Sequence, residues 1–154
     1  MFSGSSGTDY QDTTITNDGF WPNVNAGDFE RKRGTPTAQD DERIANAVVN
    51  AIVSVNLELE KLKDKYLDEG VAKAADAQVF PKTGEKNHLV IQYESAVFAR
   101  AKADLLPDFS TVHQKDKGDH LAERSLETKS ELLAEAVRIT RAMYGKGRAG
   151  VDLL

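Results

Sequence analysis

Apolar residues in the first half of the chain recur at spacings of three and four, which is the period of an amphipathic α-helix. This pattern begins after Thr37, a suitable N-cap residue, and runs to Gly70, where a glycine is expected to end the helix. At 1.5 Å per residue the predicted helix is about 45–50 Å long. Its narrow apolar stripe indicates packing against other helices. The stripe consists of Ile44, Val48, Ile52, Val55, Leu59, Leu62 and Tyr66.

Two further helices are predicted downstream. The first covers residues 88–106 and is expected to end at Pro107, because the residue before a proline disfavours helical geometry. The second begins near His120 and ends at Gly145. Residues 71–87 contain a proline and a glycine close together and predict a connecting loop that includes a short helical turn. With no strand-rich region and no internal repeat, the predicted fold class is all-α, a small bundle of long amphipathic helices.

The N-terminal region lacks a helical pattern and is predicted to be an extended arm. It is rich in Gly, Ser, Thr, Asn and Asp, and its first dozen residues have the composition of a disordered segment. Phe20 and Trp21, followed by Pro22, are too apolar to remain in water, so we expect them to anchor the arm on the same subunit or on a neighbouring one. The predicted domains are an N-terminal arm (1–36), a helical bundle (37–144) and a C-terminal docking tail (145–154).

The C-terminal tail combines glycines with an apolar end. Its three glycines disfavour continuation of the helix, whereas its last apolar side chains alternate around an aspartate as in a strand. We therefore expect this second extended arm to contact the surface of another protein. The residues expected to make that contact are Arg148, Val151, Asp152, Leu153 and Leu154.

The overall charge argues against a protein that grips nucleic acid. The chain has 154 residues, which suits one domain, and a formal net charge of −5, whereas tight binding to phosphates needs a clustered basic face. We expect only weak, passing contact with double-stranded DNA, through loop residues such as Lys115 and Lys117. The absence of cysteine excludes disulfides and thiolate metal sites and fits a reducing compartment.

No arrangement of residues predicts catalysis. None of the three histidines pairs with a second ligand on one helix face, so we predict no metal and no cofactor. The carboxylates alternate with lysines, which is typical of a solvated helix face, and no nucleophile stands beside a base. We expect a protein that is not an enzyme. The N-terminal residues do not resemble a secretory signal and no apolar run is long enough to span a bilayer, so we also expect a soluble protein without a membrane partner.

Several stretches resemble the head completion proteins of tailed phages, specifically the gpL type of temperate contractile-tailed phages. The similarity extends from about Ile15 to the last residue, and its specificity lies in the order of the motifs, because each motif alone is a few common residues. The motifs are Asn17-Asp18-Gly19-Phe20-Trp21-Pro22, Val55-Asn56-x-x-Leu59, Tyr93-x-x-Ala96-Val97, Ala101-x-Ala103-x-Leu105, Asp108-Phe109-x-Thr111, Lys117-Gly118-Asp119 and Val151-x-Leu153-Leu154.

This resemblance implies a structural connector in the neck of the virion. Proteins of this type join the portal vertex after DNA packaging, inside the host cytoplasm, and form a ring of neighbouring copies, a dodecamer. The ring retains the genome and provides the platform on which a tail terminator or another neck protein assembles. The apolar tail would add a strand to an open sheet edge on the portal protein. An acidic balance suits a channel through which DNA must slide.

Two other classes of function remain as alternatives. A helical assembly chaperone or a secretion-type adaptor would also show helices, arms and no catalytic residues. A small DNA-binding regulator would need a basic recognition helix, which the charge balance argues against.

Overall fold

The computed structural model describes residues 9–35, 39–117 and 128–145, with side chains as far as residue 108 in the second range. This part of the chain is mostly helical, as predicted, and also contains two small antiparallel two-stranded sheets. The elements in chain order are β1 (Thr14–Ile15), β2 (Val24–Asn25), α1 (Ala26–Arg33), α2 (Asp41–Glu58), α3 (Glu60–Asp68), a 3-10 turn (Ala74–Asp76), β3 (Lys82–Thr83), β4 (Lys86–Asn87), α4 (His88–Lys117) and α5 (Lys129–Met143).

Helix α4 is the central element of the fold. Both α2 and α5 pack along it, and α1, the 3-10 turn and β4 also contact it. The predicted apolar stripe faces this helix: its first six residues are buried and Tyr66 packs partly buried against them. The side chains that are buried most completely include Phe29, Ile44, Val48, Val55, Leu59, Leu89, Tyr93, Val97 and Leu105.

The predicted single helix from Thr37 to Gly70 is in fact two helices with a break at Leu59. In an unbroken helix the N–H of Leu62 would donate to the carbonyl of Glu58. Here the hydroxyl of Tyr144 lies between them, accepting from the Leu62 N–H at 3.3 Å and donating to the Glu58 carbonyl at 2.8 Å. A side chain inserted into the helical ladder is a known cause of kinks. The predicted end at Gly70 is confirmed, with φ +88°.

The prediction that a helix ends at Pro107 is wrong, because α4 continues through this residue to Lys117. Proline has no N–H to donate to the carbonyl four residues earlier, so it weakens the helix locally. Tertiary contacts hold the helix together here. The guanidinium of Arg43 on α2 binds Asp104 at 3.2 Å and Asp108 at 2.9 Å, one carboxylate on each side of the proline.

The segment predicted as an extended arm contains a helix, α1, so that prediction is wrong for Ala26–Arg33. The side chain of Asn25 caps its first turn and Gly34 ends it at φ +65°. A Cβ on Gly27 would lie 1.9 Å from the carbonyl oxygen of Gln11, so only glycine lets the irregular segment before β1 pass this close to the helix. The end of α1 is fixed to α5 by a 2.9 Å ion pair between Arg33 and Glu135.

The connecting loop contains the predicted helical turn and a β-hairpin that was not predicted. Asn87 anchors the loop: its buried amide donates to the carbonyls of Ala74 at 2.9 Å and Ala77 at 3.0 Å. The same side chain accepts from the N–H of Val90 at 2.9 Å, in the first turn of α4. One asparagine therefore fixes both the loop and the start of the central helix.

The last helix begins later in the described chain than the sequence predicted. Thr128 and Glu131 form a reciprocal capping box at its N-terminus. The predicted start near His120 lies outside the described residues, whereas the predicted end at Gly145 is confirmed with φ +83°. The predicted N-cap of the first long helix, Thr37, is wrong: α2 begins at Asp41, and Asp40 caps it by accepting from the N–H of Arg43 at 2.9 Å.

Replacing Tyr144 with phenylalanine should destabilise the fold. The change removes the hydroxyl that pairs the Leu62 N–H and the Glu58 carbonyl, so the free energy of unfolding should fall by about 1–2 kcal/mol. Urea unfolding followed by circular dichroism measures this. Tyr66→Phe is the matched control, because the Tyr66 hydroxyl makes no hydrogen bond with any described residue. Equal effects of the two variants would contradict a structural role for the inserted hydroxyl.

Candidate functional site

The aromatic pair of the N-terminal segment lies in the core of its own subunit. Phe20 and Trp21 are only 4% and 2% exposed. The Trp21 ring stacks on Tyr93 of α4, with centroids 4.8 Å apart and planes 5° from parallel. Phe20 meets the edge of Trp21, also at 4.8 Å. Of the two surfaces that the sequence left open for this anchor, the structure thus shows the subunit's own helices.

A polar network surrounds this stack, and sequence reasoning missed it. The hydroxyl of Tyr93 donates to the side-chain oxygen of Asn56 at 2.6 Å and accepts from the amide of Asn17 at 2.9 Å. Asn56 in turn donates to Asn17 at 2.9 Å, and Asn17 also donates to the carbonyl of Pro22 at 2.8 Å. The N-terminal segment is therefore joined to α2 and α4 through one closed set of hydrogen bonds.

Asp18 fixes the turn that presents the aromatic pair. One carboxylate oxygen accepts from the N–H groups of Phe20 and Trp21, each at 2.9 Å, and the other binds Lys63 of α3 at 3.0 Å. Burial alone would raise the pKa of Asp18, but the two backbone hydrogen bonds and the Lys63 ammonium outweigh it and lower the pKa below 3.8. The carboxylate is thus charged in the folded protein at neutral pH.

The surface of α2 that faces away from the core is uncharged and carries a row of apolar side chains beside the exposed Asn46 and Asn50. Between Ile44 and Leu57 the helix carries no charged residue, although half of its circumference lies outside the core. We call the exposed row formed by Val49, Val53 and Leu57 the α2 outer face. These side chains are 39%, 55% and 68% exposed and follow one another at four-residue spacing. Single exposed apolar residues are common, whereas a row on an uncharged helix is typical of a surface that a partner covers.

The predicted docking residues of the tail lie outside the described residues. These are Arg148, Val151, Asp152, Leu153 and Leu154. The structure does locate the point from which they depart, because Gly145 follows Tyr144, whose hydroxyl is bonded at the junction of α2 and α3. Lys115 and Lys117 belong to the last turns of α4, and the positions of their side chains are likewise outside what is described.

The described part of the chain contains neither a metal-binding cluster nor a membrane-spanning helix. No group of three or more His, Asp or Glu residues there is placed to hold a metal ion. None of the helices in residues 9–35, 39–117 and 128–145 is both long and apolar enough to cross a membrane.

Comparison with known proteins agrees with the resemblance found in the sequence. The model of the family described as phage head completion protein (GPL) matches residues 15–154. The chain belongs to this family. A probable head completion/stabilization protein of Haemophilus phage HP1 (strain HP1c1) is 36% identical over 157 aligned residues, which cover 100% of both chains. No solved structure matches the chain. The protein is therefore a structural component of phage head assembly.

Replacing Asp18 with asparagine should remove a pH-dependent part of the stability. Because the folded pKa is lowered, the carboxylate stabilises the fold above its unfolded pKa near 3.8, and this contribution disappears as the pH falls through the folded pKa. At pH 7 the variant should lose about 1 kcal/mol, and the difference from the unmodified protein should shrink at about pH 3. Emission from Trp21, the single tryptophan, reports unfolding.

The matched control for this experiment is Asp64→Asn, which removes an exposed carboxylate from α3. Its effect should be smaller at pH 7. A loss for Asp18→Asn that stays constant between pH 7 and pH 3 would show that the charge does not contribute.

Proposed function

We propose that this chain forms an adaptor ring in the phage neck, which binds the portal protein after DNA packaging, retains the genome and provides the platform for tail attachment. Membership of the head completion family supports a role in head assembly. The observation that carries the more specific proposal is the α2 outer face, an apolar row on an uncharged stretch of helix. Neighbouring copies of the chain are the partners that would cover it.

A ring explains why the apolar row of the α2 outer face lies on one side of the helix only. In a head-to-tail contact each subunit presents one surface to the neighbour on one side and a different surface to the neighbour on the other, and a closing rotation then gives a ring. The α2 outer face carries no charge that would have to be neutralised or desolvated on burial. Adjacent α3 differs, because its exposed positions include Glu60, Lys61 and Asp64. The surface suited to burial therefore ends where the kink begins.

The tail supplies attachment to the portal in this proposal. Val151, Leu153 and Leu154 offer at most about 1.5–3 kcal/mol each on full burial, and each backbone hydrogen bond of an added strand about 0.5–1.5 kcal/mol. Ordering the tail costs about 1–2 kcal/mol per residue, so a single tail binds weakly. Copies held in one ring bind at high effective concentration once the first has docked. Assembly of the ring and docking of the tails are thus mutually reinforcing.

The charge of the chain fits passage of DNA through the ring rather than capture of it. Because its net charge is −5, the chain is expected to make few contacts with DNA phosphates. Its long-range attraction to duplex DNA should also be weak at physiological salt. A chaperone or secretion adaptor of the same shape would leave its partner after assembly. Recovery of the chain in finished virions distinguishes the ring from these alternatives.

Placing a charge on the α2 outer face should block ring assembly without unfolding the subunit. Val53→Glu puts a carboxylate at a position that is 55% exposed in the single chain but apolar in character. Burial of an unpaired charge between copies would cost several kcal/mol, so rings on isolated portals should be lost while helicity is retained. Light scattering and electron microscopy of portal complexes measure this.

Leu67→Glu is the matched control, since Leu67 is 43% exposed on α3 and lies outside the uncharged run. It should assemble normally. Normal rings with Val53→Glu would show that the α2 outer face is not the contact between copies.

Removing residues 149–154 should abolish attachment to the portal and leave the helical body folded. In this proposal the segment contacts the portal and contributes nothing to the helical body, so helicity should be unchanged. Packaged heads completed with the truncated protein should lose DNA, measured as nuclease-sensitive genome in purified particles. A same-length variant with Ala149→Ser serves as the control. If the truncated protein completes heads normally, or if it unfolds, the tail is not the docking arm.

A further inference from the structure

A groove separates α2 from α5 above the central helix. Both helices pack on α4, but α5 makes little contact with α2 along its length. The floor is formed by small buried alanines, and one wall by the half-buried Leu133 of α5. The free volume is about 240 Å³, enough for more than one aliphatic side chain. The lining residues used below are Ala47, Asn50, Ser54, Arg100, Lys129 and Leu133.

The groove also contains polar groups without partners in the described part of the chain. The side chains of Asn50 and Ser54 make no hydrogen bond with any described residue. Arg100 binds Glu58 through one terminal nitrogen at 2.6 Å, whereas its Nε is buried and has no hydrogen-bond partner there. An extended peptide in the groove would offer backbone groups to the first two side chains.

The chain itself supplies such a peptide close to the groove. The last described residue, Gly145, follows the tyrosine that is bonded at the end of α2, so the next residues start beside Glu58 and Glu60. Lys146 and Arg148 bring positive charge to these carboxylates. Further along, Asp152 brings negative charge of the sign that Lys129 attracts. Two other charged groups that line the groove are already paired, Arg100 with Glu58 at 2.6 Å and Asp104 with Arg43 at 3.2 Å.

The length of the segment matches the position of the groove. Leu133 lies eleven residues before Tyr144 on α5, which corresponds to about 17 Å of helix. Six extended residues, 146–151, span about 20 Å at 3.3 Å per residue. A segment that turns back along α5 therefore reaches the level of Leu133 near Val151 and approaches Lys129, one turn further along, with Asp152. Length and apolar character agree in this register.

We propose that the groove between α2 and α5 holds residues 146–154 of the same chain in the unassembled subunit. The apolar side chains of the tail then rest on the alanine floor and Leu133, and Asp152 pairs with Lys129. This contact covers the apolar end of the tail before any other protein is present. It concerns the free subunit and does not depend on the proposed role of the tail at the portal.

Cysteine cross-linking of the full chain tests this proposal, since the chain contains no cysteine of its own. The test pair is Asn50→Cys with Val151→Cys, treated with oxidised glutathione in the absence of portal. The control pair is Val49→Cys with Val151→Cys: Val49 is the adjacent residue but points about 100° away around the helix. We expect a disulfide within one chain that forms about tenfold faster in the test pair, as for a tail held at high effective concentration.

Each other outcome overturns a stated part of the proposal. Equal rates for the two pairs would show that the tail does not occupy the groove. Disulfide-linked dimers whose yield rises with protein concentration would show that the occupant is the tail of a second copy. Adding Asp152→Asn should slow the test pair several-fold, and an unchanged rate would exclude the pairing with Lys129. Failure to bind portal by a protein that cross-links normally would affect only the docking role.

Discussion

Tyr93 connects the parts of the fold that the sequence presents as separate. Its ring stacks on Trp21, and its hydroxyl forms hydrogen bonds with Asn17 and Asn56. One residue of α4 therefore contacts both the N-terminal segment and α2. Burial raises the pKa of Tyr93 far above its usual range, which keeps the proton on the hydroxyl and preserves its donation to Asn56. Unpaired polar groups at this depth would cost more than the hydrogen bonds contribute. The stack and the network therefore form together or not at all.

Local patterns predicted those parts of the fold that depend on neighbouring residues in the chain. The apolar stripe, the glycine that ends α3 and the glycine that follows α5 all depend on helix geometry over a few residues. The errors arose where contacts between residues far apart in the sequence determine the local structure. The hydroxyl that divides α2 from α3 comes from Tyr144, 82 positions after Leu62, and the carboxylates beside Pro107 are held by Arg43. No local signal reveals either contact.

The same distinction applies to the candidate site. Hydrophobicity alone showed that Phe20 and Trp21 must be covered, but not by which surface, because their partner Tyr93 lies more than seventy residues away. The α2 outer face was missed for another reason. The prediction used only the buried stripe and did not consider that the opposite side of the helix has no charged residues. The available signal was the run from Ile44 to Leu57 without a charge. The absence of charged residues on this exposed helix face is informative because the neighbouring helix, α3, carries many of them.

In the proposed function, the junction of α2, α3 and α5 links the fold to contacts with other molecules. Leu57, the most exposed residue of the α2 outer face, directly precedes Glu58, whose carbonyl accepts from the hydroxyl of Tyr144. The tail departs one residue after that tyrosine. Its starting point is therefore fixed relative to the α2 outer face by hydrogen bonds between the Tyr144 hydroxyl and two backbone groups. A short tail gains effective concentration only when its origin is fixed, because uncertainty in the origin enlarges the volume that it samples. The kink thus gives a weakly binding segment a defined place on the subunit.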